Sequence, residues 1–228
     1  MTNPSATRTE SASDLQKIYS ARFSGQQAYR THVWQILTHS FFSRWIRPTD
    51  TVHDLGCGYG EFSNNIPAGK KYAMDLNPSA QSYLGPDVQL LEQDCSLPWP
   101  LPDQSLDVVF TSNFLEHLRE KPALQATVGE AFRCLKSGGL FIALGPNIKY
   151  LAGEYWDFFD HYTALTELSL AEALTMTGFK VEEKIAKFLP YSMSQGSQPP
   201  LWMLRLYLKV PLLWKIAGRQ FLVIARRP

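Results

Sequence analysis

Three glycines spaced two apart, Gly56, Gly58 and Gly60, follow the short apolar run Thr51 to Leu55 and precede Glu61. A strand, a glycine-rich turn and a helix in that order make a ligand-binding construction, because glycine lets the backbone turn sharply and lets a ligand lie against it. The spacing is GxGxG. The third glycine of a pyrophosphate-binding GxGxxG turn is replaced here by Glu61. A carboxylate at a helix start repels phosphate but accepts a ligand carrying an ammonium and a sulfonium. Asp75, in Tyr72-Ala73-Met74-Asp75-Leu76-Asn77-Pro78, lies roughly 20 residues on, the offset at which a carboxylate meets the hydroxyls of a ribose. Its structural alternative is a turn or cap aspartate ahead of Asn77-Pro78. Asp94, in Gln93-Asp94-Cys95, can accept from an adenine amino group or sit solvated in a loop.

These side chains need a frame. Val33, Trp34, Leu37, Phe41 and Trp45 share one helical face over Ala28 to Trp45, and Pro48 ends that helix. Strands are expected at Thr51–Leu55, Lys71–Asp75, Val88–Glu92, Leu106–Thr111 and Leu140–Leu144. A helix start is expected at Glu61–Ile66. Leu124, Val128, Ala131, Phe132 and Leu135 carry helical spacing, with Ser137-Gly138-Gly139 read as the cap that closes the helix. Thr166 reads as the cap of a helix ending at Thr177 before Gly178. Phe179–Phe188 and Gln220–Ala225 are the last expected strands, and Tyr191–Pro200 reads as a loop. Strands alternating with helices imply βαβ units and a mainly parallel sheet.

The chain has 228 residues, 45% of them hydrophobic and 19% charged, with a net charge of +1. That suits one soluble globular domain and leaves no basic stripe for a nucleic acid; only Arg219, Arg226 and Arg227 look locally basic. Cys57, Cys95 and Cys134 are far apart and odd in number, which argues against a disulfide framework or a zinc site and for a reducing, cytoplasmic setting. Met1 to Asp14 lacks the apolar centre of a leader and reads as a frayed tail. Leu201 to Phe221 is apolar but interrupted by Arg205, Lys209, Pro211, Lys215 and Arg219, short of the roughly 20 apolar residues of a membrane span. Leu201 to Lys209 is apolar nearly all round. Such a helix can lie in a membrane interface, bury in a homodimer contact or pack on the sheet edge, so 201–215 is the expected place for peripheral membrane or self contact.

The set Asp54-Leu55-Gly56-Cys57-Gly58-Tyr59-Gly60, Met74-Asp75, Gln93-Asp94-Cys95 and Leu106-Asp107-Val108-Val109-Phe110 resembles the class I S-adenosylmethionine-dependent methyltransferases, over about Thr51 to Leu144. The stretch Leu140 to Gly178, with its runs Gly145 to Tyr150 and Tyr155 to Thr163, resembles a branch of small bacterial type 11 and type 23-like domains. The resemblance implies a Rossmann-like, doubly wound α/β fold whose seven-stranded sheet is mostly parallel with an antiparallel last strand. It implies a helical lid or tail over 1–48 and a methyltransferase domain over 49–228, with acceptor-side insertions in 146–215. It also implies S-adenosylmethionine as cofactor. The methionine part would lie against Asp54, Gly56, Cys57, Gly58 and Gly60, the ribose on Asp75, and the adenine near Leu76, Asp94 and Cys95. Asn113, at the mouth of the fourth strand, would contact cofactor or acceptor. Cys57 is not a nucleophile in that pattern.

Methyl transfer to a hydroxyl or an amine also removes a proton, most often to histidine. His117, in Asn113-Phe114-Leu115-Glu116-His117-Leu118, and His161, in the aromatic run Tyr155 to Tyr162, are the candidate bases. The competing readings are a packing histidine for the first and a core-covering loop for the second. Asp160 beside His161 cannot face the same way in an extended segment, so the two are not read as a dyad. Tyr19, Arg22, Phe23 and Arg30 precede the sheet where a lid would lie; an arginine there would meet the cofactor carboxylate or sit on a solvated face. No metal ligand set is expected. The expected function is methyl transfer to a small-molecule acceptor, a hydroxyl of a saccharide or lipid-linked precursor. Its rivals are a nicotinamide-dependent oxidoreductase, a non-catalytic cofactor-binding or interaction module on the same fold, and a methyltransferase acting on RNA or protein.

Overall fold

The computed structural model describes residues 27–191 and 198–228; the expectations for Met1–Asp14, Tyr19, Arg22, Phe23 and the centre of the Tyr191–Pro200 loop lie outside them. The helices are α1 (Gln27–Ser40), α2 (Glu61–Asn65), α3 (Lys121–Cys134), α4 (Glu167–Thr177), α5 (Leu201–Lys209) and α6 (Pro211–Ala217). The strands are β1 (Thr51–Leu55), β2 (Lys70–Asp75), β3 (Val88–Glu92), β4 (Leu106–Ser112), β5 (Leu135–Pro146), β6 (Lys180–Ile185) and β7 (Gln220–Arg226). They form one sheet in the order β3-β2-β1-β4-β5-β7-β6. β7 runs antiparallel to both β5 and β6, and the remaining pairs are parallel. The doubly wound α/β expectation with an antiparallel last strand holds.

Both sheet faces are covered, which is why the central strands read as continuous apolar runs. Along β4, Val109 faces a core with Leu124, Val128 and Ala131 of α3 and Leu170 and Leu174 of α4. Val108 and Phe110 face the opposite core, with Trp34 and Leu37 of α1, Phe62 of α2, Leu208 and Trp214. On that side Phe62 stacks on Phe110 at 3.7 Å between centroids and Trp34 meets both rings edge-on. This aromatic cluster fixes α1 and α2 against the sheet, and with them the glycine turn that α2 ends.

Several boundaries differ from expectation. α1 ends at Ser40, with a separate helical turn at Phe42–Arg44, so the helix does not run on to Trp45 and Pro48 does not end it. β6 stops at Ile185, short of Phe188. α3 stops at Cys134, with Leu135 already extended and paired to Leu106. Gly138 and Gly139 therefore lie inside β5 and do not cap the helix. Gly138 takes φ +82° and donates its N–H to Arg227, and the β4–β5 register shifts between Leu106 and Val108, so the glycines serve a bulge. The helix expected at Leu201–Lys209 is α5 with those limits, and a further helix, α6, follows it from Pro211, which the sequence reading did not give. α4 matches its expected limits: Thr166 and Ser169 form a reciprocal capping box, and Gly178 ends the helix at φ +109°.

Candidate functional site

Chain order places the site. The chain runs from β1 outward to β2 and β3 and then returns to β4 on the other side of β1. The carboxyl ends of β1 and β4 thus flank a topological switch point, where open α/β sheets bind ligands. Leu55, the last residue of β1, pairs with Met74 and Thr111. Gly56, Gly58 and Gly60 follow with φ of +72°, +52° and +69°, a region costly for residues bearing a Cβ. Gly56 lies under the Phe114 ring: a Cβ there would come within 2.1 Å of Phe114 Cγ. The turn after β1 and the turn after β4 are therefore in contact.

The turn is lined with carboxylates. Asp75 Oδ2 accepts from Gly58 N–H and Oδ1 from Asn77 N–H, both at 2.9 Å. Each oxygen keeps a second lone pair, so the carboxylate can hold the turn and still accept from two ribose hydroxyls. Asp54 accepts from Ser63 Oγ at 2.6 Å, with the Ser63 backbone also bonding to it. Burial pushes its carboxyl up to about 7, with Glu61 and Asp75 adding to the rise and Ser63 opposing it. Burial also raises Glu61 and Asp75. Glu61 pairs with Arg30 at 2.7 Å, both side chains nearly buried. The reading of Arg30 as a solvated helix-face residue is thus corrected: α1 packs on the turn and carries its guanidinium inward.

This arrangement changes why a pyrophosphate does not fit. Glu61 is matched by Arg30, so its charge alone does not repel phosphate. The anion position at the start of α2 is instead filled by Asp54 from within the chain, and the Gly58 and Gly60 N–H groups are spent on Asp75 and the Cys57 carbonyl. Three buried carboxylates beside one guanidinium suit a ligand that brings positive charge and hydroxyl donors. Two further atoms await a partner. Thr111 Oγ1 and Asn113 Oδ1 are buried without a hydrogen bond among the described residues, and Asn113 holds φ +50°. A strained backbone and an orphaned polar atom at the mouth of β4 mark a binding position. The residues present fit S-adenosylmethionine.

The adenine side is looser. Asp94 Oδ1 accepts from both the backbone N–H and the hydroxyl of Ser96, an aspartate turn that leaves Oδ2 for a ligand. Leu76 is exposed. Cys95 turns into the core, where Thr127 donates to its sulfur at 3.3 Å and burial pushes its thiol up to about 12. Cys57 is likewise buried and its thiol raised far above the ordinary range, in keeping with a cysteine that is not a nucleophile.

On the acceptor side the segments after β4 and β5 zip together. The Glu116 carbonyl accepts from Tyr162 and Thr163 N–H, Thr163 Oγ1 donates to Leu118 O at 2.5 Å, and Tyr155 OH donates to Thr163 O. His117 Nδ1 then meets Asp160 twice, its carbonyl at 2.8 Å and its carboxylate Oδ2 at 3.2 Å. A carbonyl only accepts, so Nδ1 carries the proton and Nε2 keeps the lone pair. Burial works against a charged ring, but the Asp160 hydrogen bond and the Glu116 and Asp160 charges outweigh it and raise the His117 pKa. Asp160 therefore has a histidine partner in His117, 43 residues away in the chain. His161 is buried against Phe158, Tyr155 and the edge of His117, with ring centroids 4.7–5.0 Å apart. Of the expected pocket aromatics, Tyr155 is wholly buried, whereas Trp156 and Phe159 face outward. Glu116, His117 and His161 bring ligating atoms within 4.8 Å of one another, a donor set that also suits a divalent cation and that sequence spacing did not reveal.

The "Methyltransferase domain" family matches residues 53–143. A Mycolicibacterium smegmatis protein named as an S-adenosylmethionine-dependent methyltransferase is 30% identical over 169 residues, which are 70% of this chain and 62% of that protein. The chain thus spans about three fifths of that relative's length. Among solved structures, a chain of the complex between the Haloferax volcanii Trm112 methyltransferase activator and a methyltransferase superposes with a TM-score of 0.67 at 19% identity, covering 95% of this chain and 96% of that one. A methyltransferase from Archaeoglobus fulgidus gives 0.62 at 19% identity over 88% and 97%, and the [4+2]-cyclase SpnF gives 0.58 at 18% over 91% and 83%. Residues 53–143 thus match the methyltransferase-domain family, and the chain has the fold of the class I S-adenosylmethionine-dependent methyltransferases.

Proposed function

We propose that the protein transfers the methyl group of S-adenosylmethionine to a hydroxyl of a small-molecule acceptor, a saccharide or a lipid-linked precursor. The observation that carries this reading is the His117–Asp160 pair at the carboxyl ends of β4 and β5, beside Asn113. The bound cofactor supplies an activated methyl group on sulfur. Asp75 holds the ribose and Asn113 Oδ1 accepts from the cofactor or the acceptor. Asp160 fixes the His117 tautomer, so that Nε2 takes the acceptor's proton as the oxygen attacks. His161 packs beside His117 and limits how the acceptor can lie. A nucleic acid is not part of this reading. Among the described residues no helix is long and apolar enough to cross a membrane, and the three cysteines are free thiols; both agree with the cytoplasmic setting that belongs to the same proposal.

The test is transfer of isotope-labelled methyl from S-adenosylmethionine to a panel of free, nucleotide-linked and polyprenyl-linked sugars. His117→Gln is expected to lower kcat by about 10²–10⁴-fold with S-adenosylhomocysteine binding unchanged. Asp160→Asn should lower kcat and leave the acceptor KM near its original value. Full turnover in His117→Gln would remove the base. Because Glu116, His117 and His161 could also hold a cation, a chelator is the companion experiment: turnover should survive it, and a loss restored by Mn²⁺ would reassign the cluster. A second reading is favoured by one structural neighbour, a [4+2]-cyclase on the same fold. It would show as tight S-adenosylhomocysteine binding with no methylated product from any acceptor.

A further inference from the structure

Acidic residues are unevenly placed along this chain. All 21 of them precede Lys184; the last 45 residues carry eight Lys or Arg and no Asp or Glu. Folding gathers part of this basic stretch on one flank. α5 and α6 hold Arg205, Lys209 and Lys215, α6 is followed by Arg219, and α1, packed beside α5, contains no acidic residue either. Arg219 is paired with Glu154. Arg205, Lys209 and Lys215 have no ion partner among the described residues and are exposed.

The same two helices present apolar side chains outward. Their inner face is already secured: Leu208 and Trp214 are buried in the core, Tyr207 OH donates to Phe188 O at 2.6 Å, and Trp214 Nε1 donates to Tyr207 O at 2.7 Å. Trp202, Met203, Leu206, Leu212 and Ile216 are left on the outside, Ile216 at 75% and Leu212 at 65% exposure. Next to them an open groove of about 540 Å³ runs between α1 and α5, with His32, His39 and Arg205 in its lining and no carboxylate.

We propose that α5 and α6 dock this protein on an anionic lipid surface, the five outward apolar residues entering the headgroup boundary and Arg205, Lys209 and Lys215 meeting lipid phosphates. A tryptophan, aliphatic side chains and long cationic side chains exposed on two adjoining helices form the composition of an interfacial element. Neither helix approaches the length of a span, so these two helices would lie on the membrane and not cross it. A second copy of the chain is the poorer occupant. In a two-fold contact the same patch meets itself, and three cations with no acid among them would face their own mates. The inference does not depend on the methyl-transfer reading, though a lipid-linked acceptor would make use of it.

The test is flotation of the full chain with vesicles of phosphatidylcholine alone and of equal parts phosphatidylcholine and phosphatidylglycerol. Binding is expected to the second and not the first, and to weaken as salt is raised. A cation near an anionic surface contributes roughly fivefold to partitioning, so the triple variant Arg205→Gln/Lys209→Gln/Lys215→Gln should lose about a hundredfold. The exposed pair Leu206→Gln/Leu212→Gln should lose at least about tenfold. Calorimetric titration with S-adenosylhomocysteine should be unchanged in both variants, which separates loss of docking from loss of the fold or of the cofactor site. Equal binding to both vesicle types, binding to neither, or a concentration-dependent dimer that Leu206→Gln/Leu212→Gln disperses would each overturn the proposal.

Discussion

Gly56 cannot carry a side chain, for two independent reasons: its φ of +72° and the Phe114 ring lying over it. Gly56→Ala is expected to destabilise the fold by more than the ~1–2 kcal/mol of the left-handed backbone alone, with Phe114→Ala in the same chain recovering part; urea unfolding measures both. Two buried groups beside the turn set opposite pH dependences. Asp54 is raised to about 7 by burial, so the folded chain keeps a proton that the unfolded chain releases. Its contribution to stability is complete below the unfolded value of about 4 and is lost as pH rises through about 7. His53, wholly buried against Trp99 at 4.7 Å, is lowered to about 3 by the same cause. Its contribution is present above about 6.5 and is lost as pH falls from there toward 3. Asp54→Asn should therefore flatten the alkaline limb of a stability–pH profile, and His53→Phe the acid limb; unchanged limbs would contradict both assignments. At this scale the glycines and Asp75 were legible because their spacing is local. The His117–Asp160 pair was not, because its members lie 43 residues apart and meet only where β4 and β5 end side by side.

Among the elements, α4 was the most legible, since a Thr cap, a Ser three residues on and a terminal glycine are all local signals. Thr166→Ala removes the hydrogen bond from Ser169 N–H and is expected to cost about 1 kcal/mol, read from the urea midpoint; no change would mean that the cap is idle. The close of α3 was misread because Gly138 and Gly139 fit a helix cap and a strand bulge equally well, and pairing with β4 decided between them. The role of α1 was hidden for a similar reason. Arg30 looks like a surface arginine until packing turns it toward Glu61. Arg30→Met leaves the Glu61 carboxylate buried without that partner and should cost about 3–5 kcal/mol, with Glu61→Gln in the same chain restoring much of it. An Arg30→Met chain as stable as the original would show that α1 does not hold the turn.

At the scale of the molecule, strand order does most of the positioning. The reversal between β1 and β4 opens the crevice, and the polar atoms that face it come from the ends of β1, β2 and β4 and their loops. Alternating strand and helix patterns were enough to anticipate a parallel sheet. The all-round apolar character of 201–209 pointed to a membrane, self or sheet-edge contact but could not choose among them, because apolar periodicity looks the same whether a face is buried or exposed. The central claim is that this crevice binds S-adenosylmethionine through Asp75 and not a dinucleotide. Calorimetric titration of S-adenosylhomocysteine and of NAD into the protein and into Asp75→Asn tests it most directly. Saturable binding of S-adenosylhomocysteine with no heat from NAD is expected, weakened about a hundredfold in Asp75→Asn as charge-assisted hydrogen bonds to the ribose are lost. Binding of NAD without S-adenosylhomocysteine, or full affinity in Asp75→Asn, would contradict it.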